Sequence, residues 1–411
     1  MLYDMANTIF SMNIVSLYFP LFTLNVLNGG DVHYGIATGL SMAAIFMLSP
    51  LIGALSDNSS RRMPFLAVST AACVTLTLFL GTGGLLHSLV IFAFANFFYQ
   101  AGLQFYDSLL PVVSDETNRG RVGGVGVMVG YVGSFIGIAA GGVLLQNVDL
   151  LPLLRQQESY TLLFRVTAAA FLLLSLPCFI LVKEIPRTDR RFGPGTAAAA
   201  LRSVIATFRS MRSYPSLGRF LIGRIFYTDA VNTVIIFMGI YVTKEAGFTA
   251  AETGKVFIAA IFFAALGGGI WGLVVDRKGP KVSLNLMLYL WMAALLWAAA
   301  AGFFGFGKGA FWPIPCLAGF ALGGTWAADR PFLLLLSPPE KIGEFYGLYG
   351  MAGRFSAVAG PLLWVLVADV LRMGRPAAVA VLAVNVAIAY FILRPVEAKP
   401  TSFQEAPLKP G

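Results

Sequence analysis

Apolar residues run along this chain in long blocks broken by short polar punctuation. Phe65 to Leu86 and Val282 to Phe304 carry no charge and Leu162 to Val182 carries one, Arg165; each reaches the roughly 20 residues that span a hydrocarbon core. The pattern predicts twelve spanning helices, near 2–27, 33–56, 64–86, 88–113, 122–146, 160–182, 217–243, 253–275, 282–305, 311–336, 344–369 and 376–396. This is an all-α polytopic membrane protein: an N-terminal six-helix bundle (1–182), a basic linker (183–216), a C-terminal six-helix bundle (217–396) and a tail (397–411). The first apolar segment lacks a basic flank and a small-residue cleavage site, so it is expected to stay as a span. Within the linker, a helix from Thr196 to about Arg212 would set Leu201, Val204, Ile205, Phe208 and Met211 on one side, suited to lying on a membrane surface; the alternative is an ordinary solvated tether.

Composition agrees: 57% of the residues are apolar and 12% charged, against roughly 25% charged in soluble chains. The net charge of +9 invites a nucleic-acid reading until its distribution is considered. Lys and Arg concentrate in the segments on the linker side of the spans, which places both termini and the linker in the cytoplasm by the positive-inside rule. The positive excess is then a topology signal and requires no nucleic acid. Cys73, Cys178 and Cys316 fall inside spans at unrelated spacings, so neither a disulfide framework nor a metal site is expected. With no phosphate-binding loop, nucleophile elbow or zinc-protease pair, no cofactor is called for, and a gradient rather than ATP would supply the energy.

The halves share three sets of matches in the same order. Asp4-Met-Ala-Asn7-Thr8 recurs as Asp229-Ala-Val-Asn232-Thr233, at an offset of 225. Gly53-x-x-x-Asp57 recurs as Gly272-x-x-x-Asp276, at an offset of 219, and Ser114, Gly120, Gly124, Gly130 and Gly137 recur 223 residues later. Together they argue for duplication.

Ionisable groups inside spans cost about 2.5–3.5 kcal/mol each to insert. The acids are Asp4, Asp107, Asp229 and Asp329, one in each three-helix unit, with Arg224, Arg330 and Arg354 as cationic partners. Their regular placement suggests a shared inward-facing site for substrate or proton, completed by Asn7 and Asn232. The competing reading is structural salt bridges that close the cytoplasmic side, strongest for Asp107 and Asp329. An Arg five residues before Asp229 on the same helix points about 140° away, which favours Arg330 over Arg224 as the counter-ion of Asp229. His33 and His87 sit at the opposite face, away from this role. Tyr3, Tyr99, Tyr131, Tyr227, Trp326 and Tyr346 are cavity candidates, although packing claims most such aromatics.

The chain resembles the major facilitator superfamily in Gly53-Ala-Leu-Ser-Asp57-Asn-Ser-Ser-Arg61-Arg62 and in Gly272-Leu-Val-Val-Asp276-Arg277-Lys278-Gly279-Pro280-Lys281. Asn58 and Ser60 depart from the family pattern in the first copy. The resemblance implies an alternating-access carrier with helices 1, 4, 7 and 10 around the cavity, gated by Gly53, Asp57, Arg61, Arg62, Gly272, Asp276, Arg277 and Lys281. A closer resemblance is to the vacuole-effluxer branch, bacterial relatives of fungal vacuolar amino-acid exporters. It rests on Tyr3-Asp4-Met-Ala-Asn7, Phe226-Tyr227-Thr-Asp229-Ala-Val-Asn232-Thr233 and Pro338-Pro339-Glu340-Lys341-Ile-Gly343-Glu344-Phe345-Tyr346-Gly347. About a dozen helical residues precede Asp229 but three precede Asp4, so the cytoplasmic end of the first helix is expected to be incomplete.

The expectation is a proton-coupled secondary carrier, not an enzyme, that exports an amino-acid-like solute across the bacterial cytoplasmic membrane. It would act as a monomer among membrane lipids. A scaffold retaining the carrier fold, or a lipid flippase, are the alternatives. A scaffold has no use for titrating acids within its spans, and a flippase would need an apolar cavity open sideways to lipid.

Overall fold

A computed structural model describes residues 1–146, 156–186, 196–209 and 214–397. It is all-helical among these residues. In the first half α1 (Leu2–Asn25), α2 (Asp31–Asp57), α3 (Met63–Leu78), α4 (Leu85–Ser108), α5 (Arg119–Gln146) and α6 (Gln156–Leu181) follow one another. The second half contains α7 (Pro215–Glu245), α8 (Ala250–Lys278), α9 (Pro280–Phe303), α10 (Pro313–Leu336), α11 (Ile342–Val365) and α12 (Arg375–Leu393). Ten of them are long and apolar enough to cross a membrane. The other two are α3, with 16 residues, and α10, which carries Asp329 and Arg330; α3 packs on α4 and α6, and α10 on α8 and α9.

The surface inverts that of a soluble protein. On α2, Val32, Ile36, Leu40 and Met47 are each well exposed, a stripe facing where lipid would lie. Inside, one apolar cluster gathers α1–α6 residues such as Phe10, Phe19, Phe92 and Phe164, and another gathers α7–α12 residues such as Tyr227, Trp291, Phe332 and Trp364. Interruptions have local causes. Pro50, Pro177, Pro331 and Pro361 sit inside helices, and α1 widens into a π-helical turn at Ser11–Ser16 just before Pro20, whose ring cannot supply a helical N–H.

The linker helix (Thr196–Arg209) packs on α2. Ala200 and Thr207 are buried, while Leu201 and Ile205 stay exposed, so the helix meets protein through its small residues and offers apolar ones outward. Ser203 donates to Glu344 on α11 at 2.9 Å, and Lys341 donates to Thr207 at 2.9 Å. At the linker's start, Glu184 accepts the Arg62 and Met63 N–H groups at 2.6 and 2.9 Å, satisfying free donors at the beginning of α3. Met211, Arg212 and the tail beyond Glu397 lie outside the described residues.

The halves repeat each other, but not in the register that the Asp-x-x-Asn-Thr match implies. A side chain at Gly133 would strike Met5 O and Thr8 Oγ1. The residue 223 positions later, Ser356, bonds Ile225 O at 2.8 Å and Thr228 Oγ1 at 2.9 Å. One turn further, Gly137 lies against Ile9 and Asn13, and its counterpart Gly360 lies against Asp229 and Thr233. Each pairing relates α1 to α7 at an offset of 220, so the partner of Asp4 is Arg224 and the partner of Asp229 is Ile9. Thr8 and Thr228 confirm it, each bonding the carbonyl four residues back, Asp4 O at 3.1 Å and Arg224 O at 2.6 Å. The five-residue difference rotates a helical position by about 140°, which explains why Asp4 and Asp229 meet different surroundings. In a background without the native cysteines, Thr228→Cys with Ser356→Cys should cross-link under mild oxidation and Thr233→Cys with Ser356→Cys should not; the reverse would restore the register of the sequence match.

Candidate functional site

Charged and polar side chains collect in three places, beginning with the linker-side contacts between the halves. Asp57, at the end of α2, accepts the N–H groups of Gly343 and Glu344 at 3.0 and 2.8 Å. Asp276, near the end of α8, accepts those of Gly120 and Arg121 at 2.6 and 3.1 Å. A helix start exposes unpaired N–H groups and the positive end of the helix dipole, so each carboxylate finds its complement across the interface. Glycine permits the approach: a Cβ on Gly53 would fall 2.0 Å from Gly343 O, and one on Gly272 would fall 2.6 Å from Gly120 O.

The attached arginines differ. Arg62, fully enclosed, holds Asp57 at 2.6 Å and reaches the Ser108 carbonyl at 3.2 Å. Arg121 holds Asp276 at 3.0 Å from an exposed position on the opposite half. Arg61 and Arg277 are exposed, and it is Arg62 and Arg121 that pair with the two aspartates. Lys281 is also displaced from its expected place, because its ammonium binds the carbonyls of Arg394 and Val396 at the end of α12, where free helix carbonyls attract a cation.

The second cluster lies deeper on the same side. Arg330 on α10 meets Asp107 on α4 at 3.2 Å and Asp4 on α1 at 3.8 Å, an ion triad that links the halves. Tyr106 donates to Asp4, and Asp4, Asp107 and Arg330 border a cavity of about 360 Å³ on the linker side. Beside it, Arg224 pairs with Asp329, which also accepts the hydroxyls of Tyr227 and, at 2.9 Å, Tyr349. The Arg224 guanidinium lies 3.4 Å from the Tyr349 ring centroid, a cation–π contact that further offsets its burial. Asn7 projects a buried side-chain amide without a hydrogen-bond partner among the described residues.

Asp229 stands apart from both. It is buried between α7, α11 and α12 and accepts from Asn385 at 2.8 Å; Asn232, half-buried, lies one turn on. Arg330 is therefore not its counter-ion. At 1.5 Å per residue, Asp229 lies about 21 Å from the start of α7 and Arg330 about 9 Å from the end of α10, so they occupy different depths. The third place is Arg354 on α11, whose Nη1 donates to Ser49 on α2 at 2.9 Å. Sequence reasoning named Tyr227 only as a cavity candidate, and it missed Tyr106, Tyr349, Ser49, Gln104 and Asn385. A Tyr directly before Asp107, and one three residues after Arg224, were the available signals.

Twelve helices in two related halves, with reciprocal carboxylates on helix starts, define a secondary transporter of the major facilitator superfamily. The fold matches an MFS transporter, FucP, in the outward conformation, with a TM-score of 0.75 and 14% identity over 96% of this chain and 97% of that one. It also matches a bacterial homologue of the iron transporter ferroportin in an outward-facing state, with a TM-score of 0.72 and 15% identity over 96% of both chains. The chain belongs to the family described as vacuole effluxer Atg22 like, whose model matches residues 31–399. Among relatives, an uncharacterized MFS-type transporter, YxiO, from Bacillus subtilis is 26% identical over 90% of this chain and 87% of its own length. Autophagy-related protein 22 from Yarrowia lipolytica is 22% identical over 61% of this chain and 46% of that protein.

Hydrogen bonds to charged groups contribute about 1.5–3 kcal/mol each. Asp276→Asn should shift the linker side toward the open state by about tenfold or more, since tenfold corresponds to about 1.4 kcal/mol. Labelling of a Tyr346→Cys reporter by an impermeant thiol reagent from that side measures the shift, and unchanged labelling would remove Asp276 from the gate.

Proposed function

We propose that this transporter exports a small zwitterionic, amino-acid-like solute across the bacterial cytoplasmic membrane by alternating access, driven by a proton gradient. The observation that carries the reading is the pair of reciprocal contacts, Asp57 on the start of α11 and Asp276 on the start of α5. They hold shut one face of the interface between halves, which an alternating-access carrier must close and reopen in each cycle. The basic linker and loops support a cytoplasmic position for that face, and the family description, an effluxer, supports export.

Proton coupling is assigned to the triad of Asp4, Asp107 and Arg330. Asp107 and Asp4 meet the Arg330 guanidinium across the halves at 3.2 and 3.8 Å, and the Met1 ammonium also pairs with Asp4 at 3.2 Å, so Asp107 carries most of the tie between halves. Protonating the acids removes the electrostatic tie of Arg330 to the first half and favours separation on the cytoplasmic side. Deprotonation restores the tie and favours closure. Asp229, held by Asn385 inside the second half, is a further proton-binding candidate, and Asn7 supplies an uncommitted polar group near the triad's helix.

The test is reconstitution of the full chain in liposomes and measurement of amino-acid flux in both directions, with and without a pH gradient. Asp107→Asn should abolish gradient-driven accumulation while leaving solute exchange that moves no net proton. Wild-type pH dependence in Asp107→Asn would refute the coupling site, and no flux of any amino acid in either direction would refute the solute class.

A further inference from the structure

Most of the intramembrane charges near the interface are answered by an opposite charge. Arg224 has Asp329, and Arg330 has Asp107 and Asp4. Asp229 and Arg354 are not so answered: Asp229 rests on the Asn385 amide, while the described partner of Arg354 is one neutral hydroxyl, Ser49 Oγ, and its buried Nε has none among the described residues. Arg354 lies about 18 Å along α11 from Ile342, at 1.5 Å per residue, far from either surface. A guanidinium offers five N–H donors and stays charged, so leaving most of them without an acceptor there is costly.

The surroundings are built to hold it. Gln104 accepts the Ser49 hydroxyl proton at 2.5 Å and returns a bond to Ser49 O at 2.7 Å. With its proton committed, the Ser49 oxygen can only accept, and it turns that capacity to Arg354. Gly350, one turn earlier on α11, makes the room: a Cβ there would lie 2.7 Å from Arg354 Nη1 and 3.4 Å from Ser49 Oγ. One edge of the guanidinium is thereby fixed against α2, while the remaining donors have no acceptor among the described residues.

The duplication sharpens the contrast. By the offsets that relate the gates, the counterparts of Ser49, Gln104, Gly350 and Arg354 are Gly268, Ala327, Val127 and Tyr131. Packing supports the correspondence, since a Cβ on Gly268 would meet Val127 at 2.9 Å. The gate carboxylates occur in both halves; the oriented arginine occurs in one. A device for moving the halves is needed twice, whereas a group that reads one end of an asymmetric solute is needed once.

We infer that Arg354, positioned by Ser49, Gln104 and Gly350, is the binding site for a carboxylate of the transported solute. The inference rests on the transporter reading and narrows its substrate to solutes bearing a carboxylate. A planar guanidinium with one edge anchored matches a carboxylate's two oxygens, and the solute supplies the counter-charge that the protein omits.

The test is thermal stabilisation of the purified full chain in detergent, in chloride-free buffer, by a panel of amino acids and by their amides and decarboxylated amines. Wild type should be stabilised by members of the carboxylate series and not by the matching amides or amines. Arg354→Gln should weaken the apparent affinity by at least about tenfold, as for loss of a charge-assisted pair, and Gly350→Ala should weaken it by displacing the guanidinium. Elution of the variants as folded protein is checked by size exclusion. A wild type that no carboxylate stabilises, an Arg354→Gln variant that keeps the response, or full Arg354-dependent stabilisation by chloride alone would each overturn the inference. Flux measured in parallel separates the readings. Arg354-dependent binding without transport would keep this site and overturn the amino-acid carrier, and transport of solutes lacking a carboxylate with unaltered KM in Arg354→Gln would do the opposite.

Discussion

A carboxylate resting on the bare N–H groups of a helix in the other half is the contact on which the architecture turns. Asp57 and Asp276 form it reciprocally. Neither helix start has an internal partner for those donors, and neither aspartate lies in bulk water, so the contact satisfies both sides at once. It also demands contact between backbones, which accounts for the glycines at 53, 120, 272 and 343. Rigid body, close approach and separable interface all follow from this one requirement. The bonds are strong enough to hold a face closed and few enough to break together.

Deeper in, low dielectric forces a second kind of economy. Arg224, Asp329, Tyr227 and Tyr349 form a set within the second half, and such a set stiffens the bundle that contains it. Arg330 and its two acids cross between halves, so the same chemistry there depends on whether the halves are together. Adjacent residues on α10 thus serve opposite purposes, Asp329 facing inward to its own bundle and Arg330 reaching across. About 100° of rotation per residue is what separates them.

Much of this was legible in the sequence. Span-length apolar runs gave the helices, and the Gly-x-x-x-Asp repeats located both carboxylates that rest on helix starts of the other half, because spacing and composition there are dictated by one local geometry. Asp107 and Asp329 were read alternatively as salt bridges that close the linker side; Asp107 meets Arg330 of the other half, whereas Asp329 pairs with Arg224 inside its own half. The partner assignments failed where they depended on rotation and depth. The likeness of Asp4-Met-Ala-Asn-Thr to Asp229-Ala-Val-Asn-Thr placed two aspartates in equivalence, whereas packing against α5 and α11 aligns Asp4 with Arg224. Small residues at the helix contact set that register, and they carry little information in so glycine-rich a chain. Gln104 and Ser49 escaped notice because neither is charged, and their significance comes from a neighbour 250 residues or more away in the chain.

The docking of the linker helix makes the connection between halves more than a tether. It rests on α2 yet holds Glu344 and Lys341 at the start of α11, the same helix start that Asp57 grips through its backbone. When α2 and α11 part, this helix can follow one of them and must release the other. Among the described residues the contact of Asp276 with α5 is made by Gly120 and Arg121 of the other half. The two seams of a nearly symmetric molecule are therefore unlike: one of them is bridged by a segment that belongs to neither repeat.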